Sequence, residues 1–444
     1  MMLDSYQVPC LLFRELKNRN IVIKVPGSKS ITNRALLFAM LADGECKLDG
    51  ALFSDDSRYF LKCLQSLGFH AVAEEENSCI TVVGQNGKLP CKKASLYVGS
   101  AGTAARFLTA CLGISEGTFQ MDASEQMKKR PMEPLLSSLQ ELGCQISYEG
   151  VQGFFPYTIT GNGFQKDEIT IDIDTSSQFL SALLIASVLS PKDFKIRVKG
   201  SHGMSYIDMT LQMMRQFGIS YTESNESSTL NDYHSIYTIP AGQHYGHRPY
   251  QIEPDVSAAC YFYAMAAITG LSITVAGVYS DSMQGDILFL SILEKMGCTV
   301  KATESGICLT GPESGRLEGI VADMSACSDQ AITLAAIAPF SKSPVTITGI
   351  RHIRYQESDR IHAIVENLTA MGIRCEELED GVTIYPGKPC EATIKTYDDH
   401  RLAMGFSLTG LCASNIRIEN PGCCRKTFEN YFDVLDDVIK RAYK

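Results

Sequence analysis

The sequence predicts an α/β protein of two similar domains, each made of three repeats. Three observations carry this expectation. First, a helical pattern ending in an apolar residue, a glycine and a short strand recurs five times. It is found at Leu67-Gly68-Phe69, Leu142-Gly143-Cys144, Phe217-Gly218-Ile219, Met296-Gly297-Cys298 and Met371-Gly372-Ile373, so the glycines fall 75, 75, 79 and 75 residues apart. Each glycine stands where a helix needs a left-handed residue to end on. Second, a more apolar helix type starts near Ser30, Gly102, Ser176, Asp255, Asp329 and His400. Its runs include Ala104 to Leu112, Phe179 to Leu189, Cys260 to Ile268, Ile332 to Ala338 and Leu402 to Leu411. Helices apolar on every side belong in a core. Third, short β-runs alternate with these helices, as at Phe194 to Val198, Ser272 to Val275, Val345 to Thr348 and Ile416 to Ile418. The last copy of the first helix type is expected at Thr427 to Ala442. Six such units divide into two domains of three, with the crossing expected in the polar stretch from Asn225 to Tyr250.

Composition narrows the class of function. A chain of 444 residues with 45% apolar and 20% charged residues is globular rather than disordered. No apolar run reaches membrane-spanning length; Phe179 to Leu189 is too short and carries Ser181 and Ser187. Met1 to Gln7 lacks the charged and apolar regions of a signal peptide. The sixteen cysteines form no CxxC pair and no Cys/His ligand spacing. They read as reduced thiols of a cytoplasmic protein, and the eight histidines form no metal signature. A net charge of −10 argues against a nucleic-acid surface, while basic residues set in a cleft still suit small anions.

Taken in chain order, the motifs point to anion chemistry. Pro26-Gly27-Ser28-Lys29-Ser30-Ile31-Thr32-Asn33-Arg34 follows the strand-like run Ile21 to Val25 and opens an apolar helix. A helix N-terminus carrying hydroxyls and the cations Lys29 and Arg34 is a candidate anion site, and equally a capped surface helix. Gly99-Ser100-Ala101-Gly102-Thr103-Ala104-Ala105-Arg106 is a small-residue loop opening a helix, without the lysine of a Walker A loop. Met127 to Met132 places three cations before a proline expected to start a helix; a solvated basic loop is the plainer meaning. Asp174-Thr175-Ser176-Ser177-Gln178 brings neutral donors to a buried helix start, where capping explains one of them. Asp329 starts an almost wholly apolar helix, as an N-cap or as a general base. Glu357 and Arg360 stand at the spacing of an intrahelical ion pair. The charged run Tyr397 to Arg401 at another apolar helix start is costly unless partnered, and Lys426 is a further cation at a helix start.

In this order PGSKS…NR, AGTA.R, MK.RP, SSQF, YID.T, SMQGD, ESDR, DHR and KTF resemble the motif series of the EPSP synthase family, from Pro26 to Phe428. The resemblance implies the enolpyruvyl transferase fold. That fold is two domains of three βαβαββ units each, inverse α/β barrel-like, joined by a double crossover and closing over a cleft. Residues 1–28 with 253–444 would form one domain and residues 29–252 the other. It implies transfer of the enolpyruvyl group of phosphoenolpyruvate to the 5-hydroxyl of shikimate 3-phosphate by addition and elimination. It further implies a cytoplasmic monomer without cofactor or metal, and no nucleic-acid or membrane partner.

By matching motif positions, shikimate 3-phosphate would meet Lys29, Ser30, Arg34, Ser176, Ser177, Gln178, Ser205, Asp329, His352 and Gln356. Phosphoenolpyruvate would meet Lys29, Gly102, Arg130, Gln178, Arg360, Arg401 and Lys426. Asp329 would be the base, Glu357 the acid, and Lys29 a cation shared by both substrates; Asp255 would line the site. The chain departs from the pattern in four places. Gln356 replaces a lysine, His352 an asparagine, and Gly203 a serine whose contact Ser205 could restore; Phe107 stands for proline or leucine. Arg354 is the nearest cation that could stand in for the missing lysine. Two alternatives stand beside this reading. Transferases acting on UDP-N-acetylglucosamine carry a loop cysteine where this chain has Glu125. A non-catalytic anion-binding protein would explain Gln356, His352 and Gly203.

Overall fold

The computed structural model describes residues 4–11, 15–16, 20–224 and 233–444. Two compact units are present, residues 27–252 and residues 1–26 with 253–444. The expected βαβαββ repeat is visible three times in the first and twice in the second, whose remaining repeat shows three strands among the described residues.

Within 27–252 the repeat is seen most simply around Gly102–Ile114. Strand Lys93–Tyr97 runs parallel to Gly117–Asp122, with that helix as the crossover. Helix Glu133–Glu141 then leads to the hairpin Gln145–Tyr148 and Tyr157–Gly161, which completes the sheet antiparallel. The next repeat adds Glu168–Asp172, Phe194–Lys199, Thr222–Ser224 and Tyr233–Ile239 around helices Gln178–Ser187 and Met204–Gln216. The remaining repeat takes its parallel strand, Tyr250–Gln251, from the far end of the unit and sets it beside Glu45–Asp49.

The second unit is built the same way. Asn20–Ile23 pairs parallel with Ser272–Ala276, and Val321–Asp323 with Val345–Thr348. The last repeat pairs Ala392–Ile394 with Ile416–Glu419 and closes with Ser5–Gln7, antiparallel to Ile416–Glu419.

Burial separates the two helix types. Every residue of Gly102–Ile114 and of Ala331–Ile337 is buried. Val256–Thr269, Ala331–Ile337 and His400–Cys412 pack on one another in the core of their unit. The outer helices end as expected. Gly68, Gly143, Gly218, Gly297 and Gly372 have φ between 75° and 100°. At each, the following residue donates its N–H five residues back, as in Phe69 to Leu64 and Ile373 to Leu368, 3.0 and 2.9 Å. That bond, with a buried apolar residue after the glycine, is the Schellman ending.

Some element bounds differ from expectation. The strand expected at Ile21 to Val25 is Asn20–Ile23. Pro131 does not start a helix; the turn Glu125–Lys128 precedes it, and the next helix begins at Glu133 with Pro134 in its first turn. The last helix is Tyr431–Tyr443, because Pro421–Lys426 forms a 3-10 turn closed by Phe428 N to Cys424 O, 2.8 Å. Phe428 is then buried against Phe262 and Tyr431. The polar stretch expected to hold the crossing includes the integral strand Tyr233–Ile239, its residues 225–232 lie outside the described ones, and the units meet in sequence at Ile252 and Glu253. Among the described residues no helix is long and apolar enough to cross a membrane.

Candidate active site

In the 27–252 unit the starts of the buried helices are tied together by two arginines. Ser28 caps Lys29–Leu41 by accepting from Ile31 N, 3.4 Å, and Lys29 Nζ lies 3.9 Å from the buried Asp56 carboxylate. Arg34, one turn on, is buried. Its Nε donates to Thr210 Oγ1 at 2.8 Å, and its Nη groups donate to the carbonyls of Ser30 and Tyr206, both 3.1 Å, and to Ser181 Oγ at 3.4 Å. Burial pushes its guanidinium down to about 10. Phe107 lies beneath it, 5.4 Å from ring centre to Arg34 Cζ.

Arg106 is the second tie. Its Nη1 donates to Gln178 Oε1 at 2.8 Å and to the Gly102 carbonyl at 3.2 Å. Gln178 Nε2 donates back to Thr103 Oγ1 at 3.3 Å. A side chain at Gly102 would meet Arg106 Nη1 and Arg130 Nη1 at 2.7 Å each, so glycine lets both guanidiniums close on this helix start. Ser176 Oγ accepts from Gln178 N, 3.3 Å, and Ser177 is buried beside it. Gly203 has φ +66°, and a Cβ there would lie 2.5 Å from Ser177 Oγ. The departure at Gly203 is therefore built in, since Ser177 fills the space a larger residue would use. Ser205 lies in the first turn of Met204–Gln216.

In the other unit, carboxylates and cations alternate. Asp329 sits in the 3-10 turn Ser328–Gln330, ahead of Ala331–Ile337. Its carboxylate reaches across to two arginines. Oδ1 accepts from Arg360 Nη1 at 3.1 Å and Oδ2 from Arg401 Nη2 at 2.5 Å. Glu357 accepts from Arg360 Nη2 at 3.0 Å and from Lys426 Nζ at 2.8 Å. The Glu357–Arg360 pair does form, with Glu357 ahead of the helix, which is capped by Asp359. Gln356 Oε1 accepts from Arg360 Nη1. Asp399, fully buried, accepts from Arg360 Nε at 2.8 Å and Nη2 at 3.2 Å and caps His400–Cys412 through Arg401 N at 3.0 Å.

Behind Asp329 lies Asp286, which accepts from Gln330 Nε2 at 3.1 Å and from Ser257 Oγ. Burial, then the Asp329 charge, pushes Asp286 up to about 6. His352 is buried, its Nε2 2.9 Å from Ser328 Oγ. Asp255 caps Val256–Thr269 through Ala258 N at 3.0 Å. Arg354 pairs with Asp359 and Glu377, at 3.1 and 2.8 Å, so it does not stand in for a cation at position 356.

The model of the EPSP synthase family, 3-phosphoshikimate 1-carboxyvinyltransferase, matches residues 15–435. The chain belongs to the EPSP synthase family. The 3-phosphoshikimate 1-carboxyvinyltransferase of Trichormus variabilis is 44% identical over 433 residues, 97% of this chain and 98% of that one. A second such enzyme of Halalkalibacterium halodurans is 41% identical over 420 residues, 94% and 91% of the two chains. The EPSP synthase structure from Acinetobacter baumannii superposes with a TM-score of 0.79 at 26% identity, covering 98% of this chain and 97% of that one.

Four further residues of the chain carry contacts at these helix starts: Arg106, Thr210, Asp286 and Asp399. All lie in quoted motifs, AGTA.R, YID.T, SMQGD and DHR. Each is a charged or hydrogen-bonding side chain that the structure buries. The partners that tie them to other elements lie 29 to 176 residues away along the chain, which spacing does not reveal.

Proposed function

We propose that this chain transfers the enolpyruvyl group of phosphoenolpyruvate to the 5-hydroxyl of shikimate 3-phosphate, releasing phosphate, in aromatic biosynthesis. The observation that carries the reading is the cluster of Asp329, Glu357, Arg360, Arg401 and Lys426, two carboxylates among three cations.

The chemistry needs such a set. Glu357 gives a proton to the methylene carbon of phosphoenolpyruvate, which makes the neighbouring carbon electrophilic. The 5-hydroxyl attacks that carbon, and Asp329 takes its proton. The tetrahedral adduct then loses phosphate, and the methyl group returns a proton as the enol ether forms. Arg360 and Arg401 present planar forks to the donor's carboxylate. Gly102, Arg130, Gln178 and Lys426 receive its phosphate, and Lys29 compensates charge on both substrates.

Ser30, Ser176, Ser177, Gln178 and Ser205 hold the shikimate phosphate and ring oxygens. Arg34 serves this set by fixing the Ser30 and Tyr206 carbonyls, while His352 and Gln356, which meet Ser328 and Arg360 in their own unit, are assigned to the same substrate. We read the enzyme as a cytoplasmic monomer without cofactor; the sixteen unpaired thiols support a reducing setting.

The test is phosphate release from purified protein given both substrates. Release is expected, and Asp329→Ala should lower it by roughly 10³-fold or more with the fold retained. Absence of release with both substrates bound would overturn the reading. Release with a UDP-sugar alone would replace the acceptor.

A further inference from the structure

The Arg360 guanidinium is saturated. Nε donates to Asp399 Oδ2, Nη1 to Asp329 Oδ1 and Gln356 Oε1, and Nη2 to Glu357 Oε2 and Asp399 Oδ1. An arginine has five N–H donors, and all five are engaged. Lys426 and Arg401 are likewise held, by Glu357 at 2.8 Å and by Asp329 at 2.5 Å. The cations are also well buried, with side chains 2, 7 and 8% exposed at Arg360, Arg401 and Lys426.

An incoming carboxylate therefore finds no open donor on Arg360 and must replace an acceptor already there. Asp399 is the least able to leave. It is fully buried, grips Arg360 with both oxygens, caps a helix through Arg401 N, and accepts from Ser358 Oγ at 3.2 Å. Asp329 is the most exposed of the paired acids at 17%, followed by Glu357 at 9%. Each of these two spans two cations with two oxygens, as a substrate carboxylate or phosphate does.

Charge leads to the same two residues. Asp286, Asp329, Glu357 and Asp399 already crowd three cations. Adding a substrate carboxylate to that set is unfavourable, whereas exchanging one carboxylate for another conserves the balance.

We propose that Asp329 and Glu357 occupy, in the unliganded protein, the cation positions that the anionic enolpyruvyl donor takes, so that donor binding is an exchange of carboxylates. The reading rests on the function proposed above. Its consequence is that base and acid stay engaged with arginine and lysine until the donor arrives, and are released at the moment they have work. A donor with no carboxylate cannot release them.

The experiment is calorimetric titration of phosphoenolpyruvate into protein saturated with 5-deoxyshikimate 3-phosphate, which lacks the attacking hydroxyl and so permits no turnover. Asp329→Asn and Glu357→Gln, near-isosteric and uncharged, are compared with the unaltered chain. Exchange predicts binding about tenfold tighter or more in each, because the competitor has lost its charge. Gln356→Glu supplies an independent arm outside the acid–base pair. It adds a competing carboxylate to Arg360 and should loosen binding by a similar factor. Equal or weaker binding in Asp329→Asn and Glu357→Gln would overturn the proposal, and so would unchanged or tighter binding in Gln356→Glu. Phosphate release by the unaltered chain, measured in parallel, keeps the two claims apart. Without it the function itself fails; with it, the binding series alone decides the exchange.

Discussion

A Cβ on Gly102 would lie 2.7 Å from Arg130 Nη1, and as close to Arg106 Nη1. Both obstructing atoms are ends of flexible side chains. Gly102→Ala should thus cost little stability, and alanine is the better helix former. What it moves is the pair of guanidiniums. We expect a Tm within a few degrees of the parent and a KM for phosphoenolpyruvate raised about tenfold or more, with the KM for shikimate 3-phosphate less affected. Steady-state kinetics varying each substrate in turn would check this.

Gln356→Lys should cost stability, because Gln356 holds Arg360. The amide accepts from Arg360 Nη1, and lysine cannot accept. The substitution also sets an ammonium beside a buried guanidinium. Stability should fall by about 1–2 kcal/mol, read as a lower midpoint in urea.

Arg34 should matter to the fold before it matters to turnover. Its five contacts tie Lys29–Leu41 to Gln178–Ser187 and Met204–Gln216. Lysine cannot reproduce the fork. Arg34→Lys should destabilise by roughly 2–4 kcal/mol, and Thr210→Val, which removes one acceptor, by about 1–2 kcal/mol. Thermal melts of the two variants would rank them.

Asp286 should give the protein a pH dependence of a particular sign. Burial and the Asp329 charge push it up to about 6, above the usual carboxylate range. The folded protein thus holds this proton more tightly than the unfolded chain. The stability it contributes is present below about pH 4 and is lost as the pH rises through about 6. Asp286→Asn removes that dependence. Its stability should match the parent near pH 4 and exceed it at pH 8 by about 3 kcal/mol, read as a higher Tm. A Tm advantage that does not grow with pH would remove Asp286 as the source.

Much of the architecture was legible because the repeat is written in residues with a single conformational meaning. A glycine after the last apolar residue of a helix, at φ +89° after Leu67 or +96° after Met296, gives that helix its left-handed ending. The wholly apolar runs have nowhere to go but the core. Element starts were less legible where two residues compete for one role, as Pro131 and Pro134 do for a helix entry. The site was half legible. Asp329, Glu357, Arg360 and Arg401 were visible as charges at apolar helix starts. That Asp329 pairs with Arg401, 72 residues on, follows from the sheets that bring those starts together. The roles of Gln356 and Gly203 rest on single contacts, to Arg360 and Ser177, that no spacing in the chain encodes.

Strand Asn20–Ile23 pairs with Ser272–Ala276, and Ser5–Gln7 with Ile416–Glu419. On the ribosome these early strands therefore emerge long before their partners exist. The 27–252 unit has all its residues once Ile252 has left the exit tunnel, whereas the first strand made must wait for nearly the last. A circularly permuted gene beginning at Glu253, with the original ends joined, would make each unit from one uninterrupted run and abolish that wait.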